Sequence, residues 1–112
     1  MKKLAFIILT YVLLSSGCEK SKYGAPGCIE DKIDGFISSV PCDNGAYVAE
    51  YDFQGQDVYL FSEGYCRADL GTYVYSKDCL RLGYLGGIEG NKFIQGVDFY
   101  NNAKYIKRLW EN

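Results

Sequence analysis

The five cysteines are the side chains of this 112-residue chain with the most distinctive chemistry, and no histidine accompanies them. A cysteine nucleophile normally needs a histidine, and zinc sites use histidine or closely spaced cysteine pairs. The chain has neither a histidine nor a C-x-x-C spacing. We therefore predict no catalytic residue, no metal ligand and no cofactor. The chemistry that remains for these cysteines is modification or oxidation.

Cys18 stands at the end of an N-terminal segment that is typical of export. Lys2 and Lys3 precede an apolar run, Leu4 to Leu14, which small residues follow up to the cysteine. This order indicates a secretory signal, and the run is shorter than the roughly 20 residues that span a bilayer. The end of the segment resembles a lipobox and predicts lipidation at Cys18, although Ser15 departs from the usual apolar residue. The alternatives are an ordinary cleaved signal that leaves a free thiol, or an uncleaved anchor.

The other four cysteines form an even set, which in an exported chain predicts two disulfides. Three connectivities are open, and short loops are the easiest to close. We therefore expect Cys28–Cys42 and Cys66–Cys79. For the first pair, the distance between the two Cα atoms is a constraint, because a helix from Cys28 to Val40 would be about 18 Å long. Bridged cysteines need Cα atoms within about 7 Å, so that helix would have to end early.

Length and charge restrict the class of protein. We expect a signal peptide over residues 1–17, a polar tether over 18–27 and one domain over 28–112. After signal cleavage, ten basic and fourteen acidic residues remain, a net charge of −4. This balance argues against nucleic acid as a partner and against electrostatic attraction to anionic membranes. Without histidine, the commonest general base is also missing.

One amphipathic helix is predicted after the tether. Apolar residues recur at helical spacing from Ile29 to Val40, and Glu30 and Asp31 occupy the first turn. Pro41 ends the pattern.

Strands follow the helix. The segment 46–53 alternates with period two, and a tight turn around Gly55 leads to a returning strand over 57–61. Val58 and Leu60 should share a face with Tyr51, and the helix should pack on that face. A second hairpin is expected over 72–84 and a helical turn over 97–102, and we choose a strand over a helix for the segment 105–110.

Other motifs that could bind a phosphate or a metal ion are weak. The glycine-rich segment 86–91 lacks the Gly-Lys-Ser/Thr ending of a phosphate loop and indicates a turn with positive φ. Four aspartates do not follow the spacing of a calcium loop and are interpreted as solvated turn residues. They are Asp52, Asp57, Asp69 and Asp78.

Aromatic side chains supply the candidate binding surface. Tyr59 and Phe61 alternate with the Tyr51 face, and Tyr73 and Tyr75 line up with them. If the helix covers the Tyr51 face, these four residues lie exposed on the other face, where aromatic side chains favour recognition. The alternative is that they form cross-strand pairs or a second small core.

A resemblance covers nearly all of the mature chain. Its segments are Cys28 to Ile33, Glu50 to Gly55, Cys66 to Asp69, Leu85 to Asn91 and the terminal Leu109-Trp110. In this order they resemble a family of small uncharacterised Gram-negative lipoproteins with a domain of unknown function. The resemblance implies a location and paired cysteines but no activity. By analogy of fold alone, the order of elements also resembles PepSY-like and beta-lactamase-inhibitor-like domains.

These observations predict an α+β fold, with one helix on a four- to five-stranded antiparallel meander sheet and two disulfides. The expected protein is a non-enzymatic binding or accessory domain. We expect an N-terminal lipid to hold it at the cell envelope, at the outer membrane, with an unknown protein partner. The alternatives are an inhibitor or immunity protein that blocks a hydrolase, with 62–69 or 85–91 as its protruding loop, and an enzyme that uses carboxylates.

Overall fold

The computed structural model describes residues 21–112, so the predicted signal peptide and Cys18 lie outside the described residues. The elements follow one another as a helix, four strands, a small two-stranded unit, a short helix and a last strand. In chain order they are α1 (Gly27–Ser39), β1 (Tyr47–Phe53), β2 (Gln56–Ser62), β3 (Gly71–Ser76), β4 (Arg81–Gly86), β5 (Phe93–Ile94), β6 (Val97–Asp98), α2 (Phe99–Asn102) and β7 (Ala103–Glu111).

The central sheet has five antiparallel strands in the order β4-β3-β2-β1-β7. Strands β1 to β4 follow one another as hairpins, and β7 returns to the free side of β1. The α+β prediction is therefore confirmed, as are the two hairpins and the C-terminal strand. Gln54 and Gly55, both at positive φ, form the two-residue turn between β1 and β2. This geometry matches the right-handed twist of the paired strands and fixes their register.

Helix α1 lies within one residue of its predicted bounds. Ile29 and Ile33 are fully buried, and Phe36 and Ile37 complete the apolar side of the helix. The helix ends at Ser39, two residues before Pro41.

The predicted position of this helix on the sheet is wrong. Tyr51 does pair with Val58, and Ala49 with Leu60, so these side chains share a face as expected. Helix α1, however, packs on the other face, against Val48, Tyr59 and Phe61. We call this the helix face. Alternation shows which side chains share a face, but it does not show which face a helix covers when both are apolar.

The C-terminal segment covers the opposite face. There Phe53, Val58 and Leu60 pack with Ile94 of β5 and Phe99 of α2. Asp98 caps α2 by accepting a hydrogen bond from the Asn101 N–H at 3.1 Å. The sheet is therefore the middle of three layers and is buried on both sides.

The predicted disulfide pairing is also wrong. The structure pairs Cys28 with Cys79, Cα atoms 6.1 Å apart, and Cys42 with Cys66, Cα atoms 5.7 Å apart. The reason is the uninterrupted helix, since thirteen residues extend about 20 Å and carry Cys28 and Cys42 to opposite ends of the domain. At each end, a loop between strands supplies the nearer partner.

The segment before the helix is attached to the fold, which shortens the predicted tether. The Glu30 carboxylate accepts hydrogen bonds from the N–H groups of Lys22, Tyr23 and Ala25, at 2.6, 2.9 and 3.0 Å. The Lys107 ammonium donates to the Gly24 carbonyl at 3.0 Å. Hydrogen bonds to charged groups are the stronger kind, so the domain begins at Lys22.

Candidate functional site

The structure divides the four aromatic residues of the predicted binding surface. Tyr59 is 3% exposed and Phe61 is 1% exposed, because α1 covers them. Their predicted exposure is therefore wrong. Tyr73 and Tyr75 pack partly against the same cluster and keep part of their surface free. Of the four residues, only Tyr73 and Tyr75 expose enough of their rings to contact a ligand over a substantial area.

An open groove of about 380 Å³ lies between α1 and strands β2 and β3, and we call it the α1–β3 groove. This volume falls in the range of ordinary ligand sites. Its lining combines side chains of the helix, of the segment after it and of the two strands. The lining residues are Lys32, Gly35, Phe36, Ser39, Val40, Pro41, Phe61, Glu63, Tyr73 and Tyr75.

Aromatic rings form a continuous series along the groove. Phe36 meets Phe61 edge to face at 5.4 Å between centroids, and Phe61 meets Tyr75 in the same way at 5.4 Å. The series continues from Tyr75 to Tyr73 at 6.4 Å, and from Tyr73 to Tyr84 on β4 at 4.7 Å. Such contacts hold each ring in place, so the apolar surface is already formed before a ligand arrives.

Charged groups lie beside these rings. The Lys32 ammonium lies 4.3 Å from the centroid of Tyr75, and the Arg81 guanidinium lies 4.4 Å from that of Tyr73. Glu63 also lines the groove, and its carboxylate accepts a hydrogen bond from the Tyr84 hydroxyl at 3.3 Å. The groove therefore offers cations and a carboxylate around an aromatic floor.

Tyr59, Tyr75 and Tyr84 stay neutral around physiological pH, because their pKa values are raised. Burial raises the pKa of Tyr75, against the opposing effect of the Arg81 charge. Burial raises the pKa of Tyr84 as well, and the nearby Glu63 carboxylate adds to the effect. Under the helix, burial raises the pKa of Tyr59 to about 12. Neutral hydroxyls can donate and accept hydrogen bonds, which suits recognition.

Gly35 forms part of the helix wall of the groove. It lies inside α1, where glycine is less favourable than alanine by about 1 kcal/mol. A Cβ atom at this position would meet nothing within 4 Å. Packing therefore does not require glycine here, and its effect is to leave the helix wall of the groove open.

The two loops predicted to protrude lie together at one end of the sheet. In the first, between β2 and β3, Tyr65 is 79% exposed, and the Cys42–Cys66 disulfide fixes the residue next to it. In the second, after β4, Ile88 is 83% exposed. Backbone hydrogen bonds between Gly86 and Asn91, 2.8 and 3.1 Å, close this loop. Gly86 and Gly87 adopt positive φ, as a turn requires.

A cluster of tyrosines on the face opposite the helix was missed by sequence reasoning. Tyr51 and Tyr105 stack edge to face at 5.6 Å, and the Arg108 guanidinium lies 4.2 Å from the centroid of Tyr47. Burial raises the pKa of Tyr47 and of Tyr51. The cluster depends on β7 pairing with β1, a contact between distant parts of the chain that local patterns do not reveal.

Residues 21–112 were also searched for metal-ligand clusters and for membrane-spanning helices. No three His, Cys, Asp or Glu side chains come together there as metal ligands would. No helix in this part of the chain is long and apolar enough to cross a membrane.

Fold and groove together define a small α+β domain with two disulfides and an aromatic recess beside its helix. The model of one family, described as a domain of unknown function (DUF6970), matches residues 37–112, more than half of the chain. The chain belongs to this family, and the expectation of an uncharacterised domain family is thereby confirmed. Neither the curated proteins nor the solved structures contain a match to the chain. The likeness to PepSY-like and beta-lactamase-inhibitor-like folds stays a prediction.

Proposed function

We propose that this chain is a lipid-anchored protein of the cell envelope whose domain binds a polypeptide segment of a partner protein. The α1–β3 groove is the proposed binding site. The observation that carries the proposal is the aromatic floor of Phe61, Tyr73 and Tyr75 next to a helix wall left open at Gly35. Aromatic-lined grooves bind extended peptides with little reorganisation.

The cysteine pairing supports the anchor. Four of the five cysteines pair with one another, so Cys18 has no other cysteine in the chain as a partner. Disulfides persist in oxidising compartments, which agrees with the N-terminal export signal. Acylation of Cys18 accounts for the fifth cysteine, and more than one acyl chain would give stable membrane attachment.

A photoreactive phenylalanine analogue at position 39 tests the groove in cells, because Ser39 lines the groove, is exposed, and can carry a larger side chain without filling the open wall at Gly35. We expect irradiation to give one discrete crosslinked product in the membrane fraction, identified by mass spectrometry. Tyr75→Ala in the same chain should lower its yield about tenfold, the loss typical of a binding hot spot.

Ser38 provides the matched control position, since it is exposed on α1 but does not line the groove. The same analogue there should give no such product. Equal products from positions 39 and 38 would refute the groove as the site. Cys18→Ser should abolish the acyl mass on the mature N-terminus and release the chain from the membrane fraction, and an unchanged distribution would refute the anchor.

The exposed side chains of the two neighbouring loops favour a second candidate function, inhibition of a hydrolase. A rigid loop with an apolar tip, such as Ile88, can enter a concave active site at little entropic cost. If so, the purified chain should inhibit one member of a panel of lysozymes, proteases and lactamases, and Ile88→Asp should weaken that inhibition more than tenfold. Uniform inactivity across the panel would remove this candidate.

A further inference from the structure

The chain leaves the folded domain beside strand β7. Glu30 holds the N–H groups of Lys22 and Tyr23, and Lys107 of β7 holds the carbonyl of Gly24. The attached segment therefore runs from the start of α1, which holds Lys22, past Lys107 of β7, the strand at one edge of the sheet.

The spacer between this point and Cys18 is short. Only three residues, 19–21, separate Cys18 from Lys22 in the sequence. Even fully extended, the four Cα-to-Cα steps from Cys18 to Lys22 reach no more than about 14 Å. If Cys18 carries the lipid, as the proposed function states, the surface around β7 is held close to the membrane.

The surface of β7 has the chemistry of a membrane interface. Tyr105 and Ile106 are about half exposed, and Tyr100 of α2 is more exposed still. Basic side chains occupy the same strand at Lys104, Lys107 and Arg108, of which Arg108 pairs with Glu111 at 3.3 Å, so Lys104 and Lys107 supply its net positive charge. Aromatic rings and long basic side chains favour the headgroup region, where the ring or stem lies against apolar matter and the polar end stays in water. The net charge of the whole chain is negative, so the basic character of this strand is not evident from the overall composition.

We propose that β7 docks the domain on an anionic phospholipid surface, the same membrane that holds the Cys18 lipid. A second copy of the chain, joined edge to edge through β7, fits the strand less well. Register shifts interrupt the pairing of β7 with β1 at two places, between Val48 and Ala49 and between Glu50 and Tyr51. Bulges and edge lysines are features that oppose continuous strand pairing between molecules.

Lysine footprinting of the full lipidated chain tests this docking. The chain is reconstituted into vesicles of phosphatidylcholine with or without phosphatidylglycerol and treated with an amine-acetylating reagent. We expect phosphatidylglycerol to lower acetylation of Lys104 and Lys107 about fivefold, as attraction of each ammonium to anionic headgroups implies. Lys77, in the turn between β3 and β4 at the far side of the sheet, lies away from β7 and should be unaffected.

A pair of isoleucine variants completes the test. Ile106→Asp, on the proposed docking surface, should remove the protection, whereas Ile88→Asp, at a still more exposed isoleucine in the loop after β4, should keep it. Unchanged acetylation in a chain that stays in the vesicles would overturn the docking and leave the anchor intact. If Lys104 and Lys107 were protected from acetylation in detergent as well, and the chain had the mass of a dimer, the docking proposal would be overturned in favour of pairing with a second copy. A chain without acyl mass that does not enter vesicles would refute both the anchor and the docking.

Discussion

Replacing Cys28 and Cys79 together by serine should lower the free energy of unfolding by about 4 kcal/mol, the value expected for closing so long a loop. The two residues are 51 positions apart in sequence. Small domains are stable by only about 5–15 kcal/mol, so the variant should be close to unfolding at room temperature. Urea denaturation followed by the fluorescence of the single tryptophan, Trp110, measures the loss.

The second disulfide provides the matched comparison. Cys42 and Cys66 enclose a shorter loop of 24 positions, so their double serine variant should lose about 3.5 kcal/mol. Paired replacement leaves no unpaired cysteine among residues 21–112 that could form a new bridge. Wild-type stability of the Cys28/Cys79 variant, or peptide maps of the wild-type chain that join Cys28 to Cys42, would contradict the observed connectivity.

Phe61→Ala should destabilise the domain by about 3–5 kcal/mol, the usual cost of removing a large aromatic ring from a core. Phe61 is almost completely buried under α1 and meets Phe36 and Tyr75 edge to face. Its removal leaves a cavity between the helix and the sheet. The midpoint of urea denaturation measures the effect.

Tyr65 is the control for this substitution, because it is an exposed aromatic residue in a loop of the same domain. Tyr65→Ala should change the free energy of unfolding by no more than about 0.5 kcal/mol. If Phe61→Ala behaved like Tyr65→Ala, the helix would not cover the face that carries Phe61. The same two variants therefore decide between the predicted and the observed position of the helix.

The sequence was sufficient for elements whose pattern is local. The spacing of Ile29, Ile33 and Phe36 predicted α1, and alternation around Gly55 predicted the first hairpin and which of its side chains share a face. The sequence also contains a pattern that indicates apolar packing on both faces of the sheet, but our prediction of the helix position did not use it. The run from Val58 to Phe61 is continuously apolar, which is typical of a strand that is buried on both faces.

The disulfides and the groove required information from distant parts of the chain. Loop length favoured Cys28–Cys42, whereas the length of the helix between these residues, already calculable from the sequence, opposed it. The grouping of Tyr73 and Tyr75 with Phe61 on one face was correct. The helix residues that complete the groove, Lys32 and Gly35, could not be assigned to it before the face covered by α1 was known.

Covalent bonds hold α1 to the rest of the domain at both ends, and this arrangement determines how the protein would respond to mechanical tension. A pull on the N-terminus reaches Cys28 at the start of the helix and passes through the disulfide to Cys79, in the loop between β3 and β4. The helix cannot peel away from the sheet one turn at a time, because Cys42 is also fixed to Cys66 just beyond its end. Between a membrane and a bound partner, only the few residues before Cys28 would lengthen, while the groove kept its shape under load.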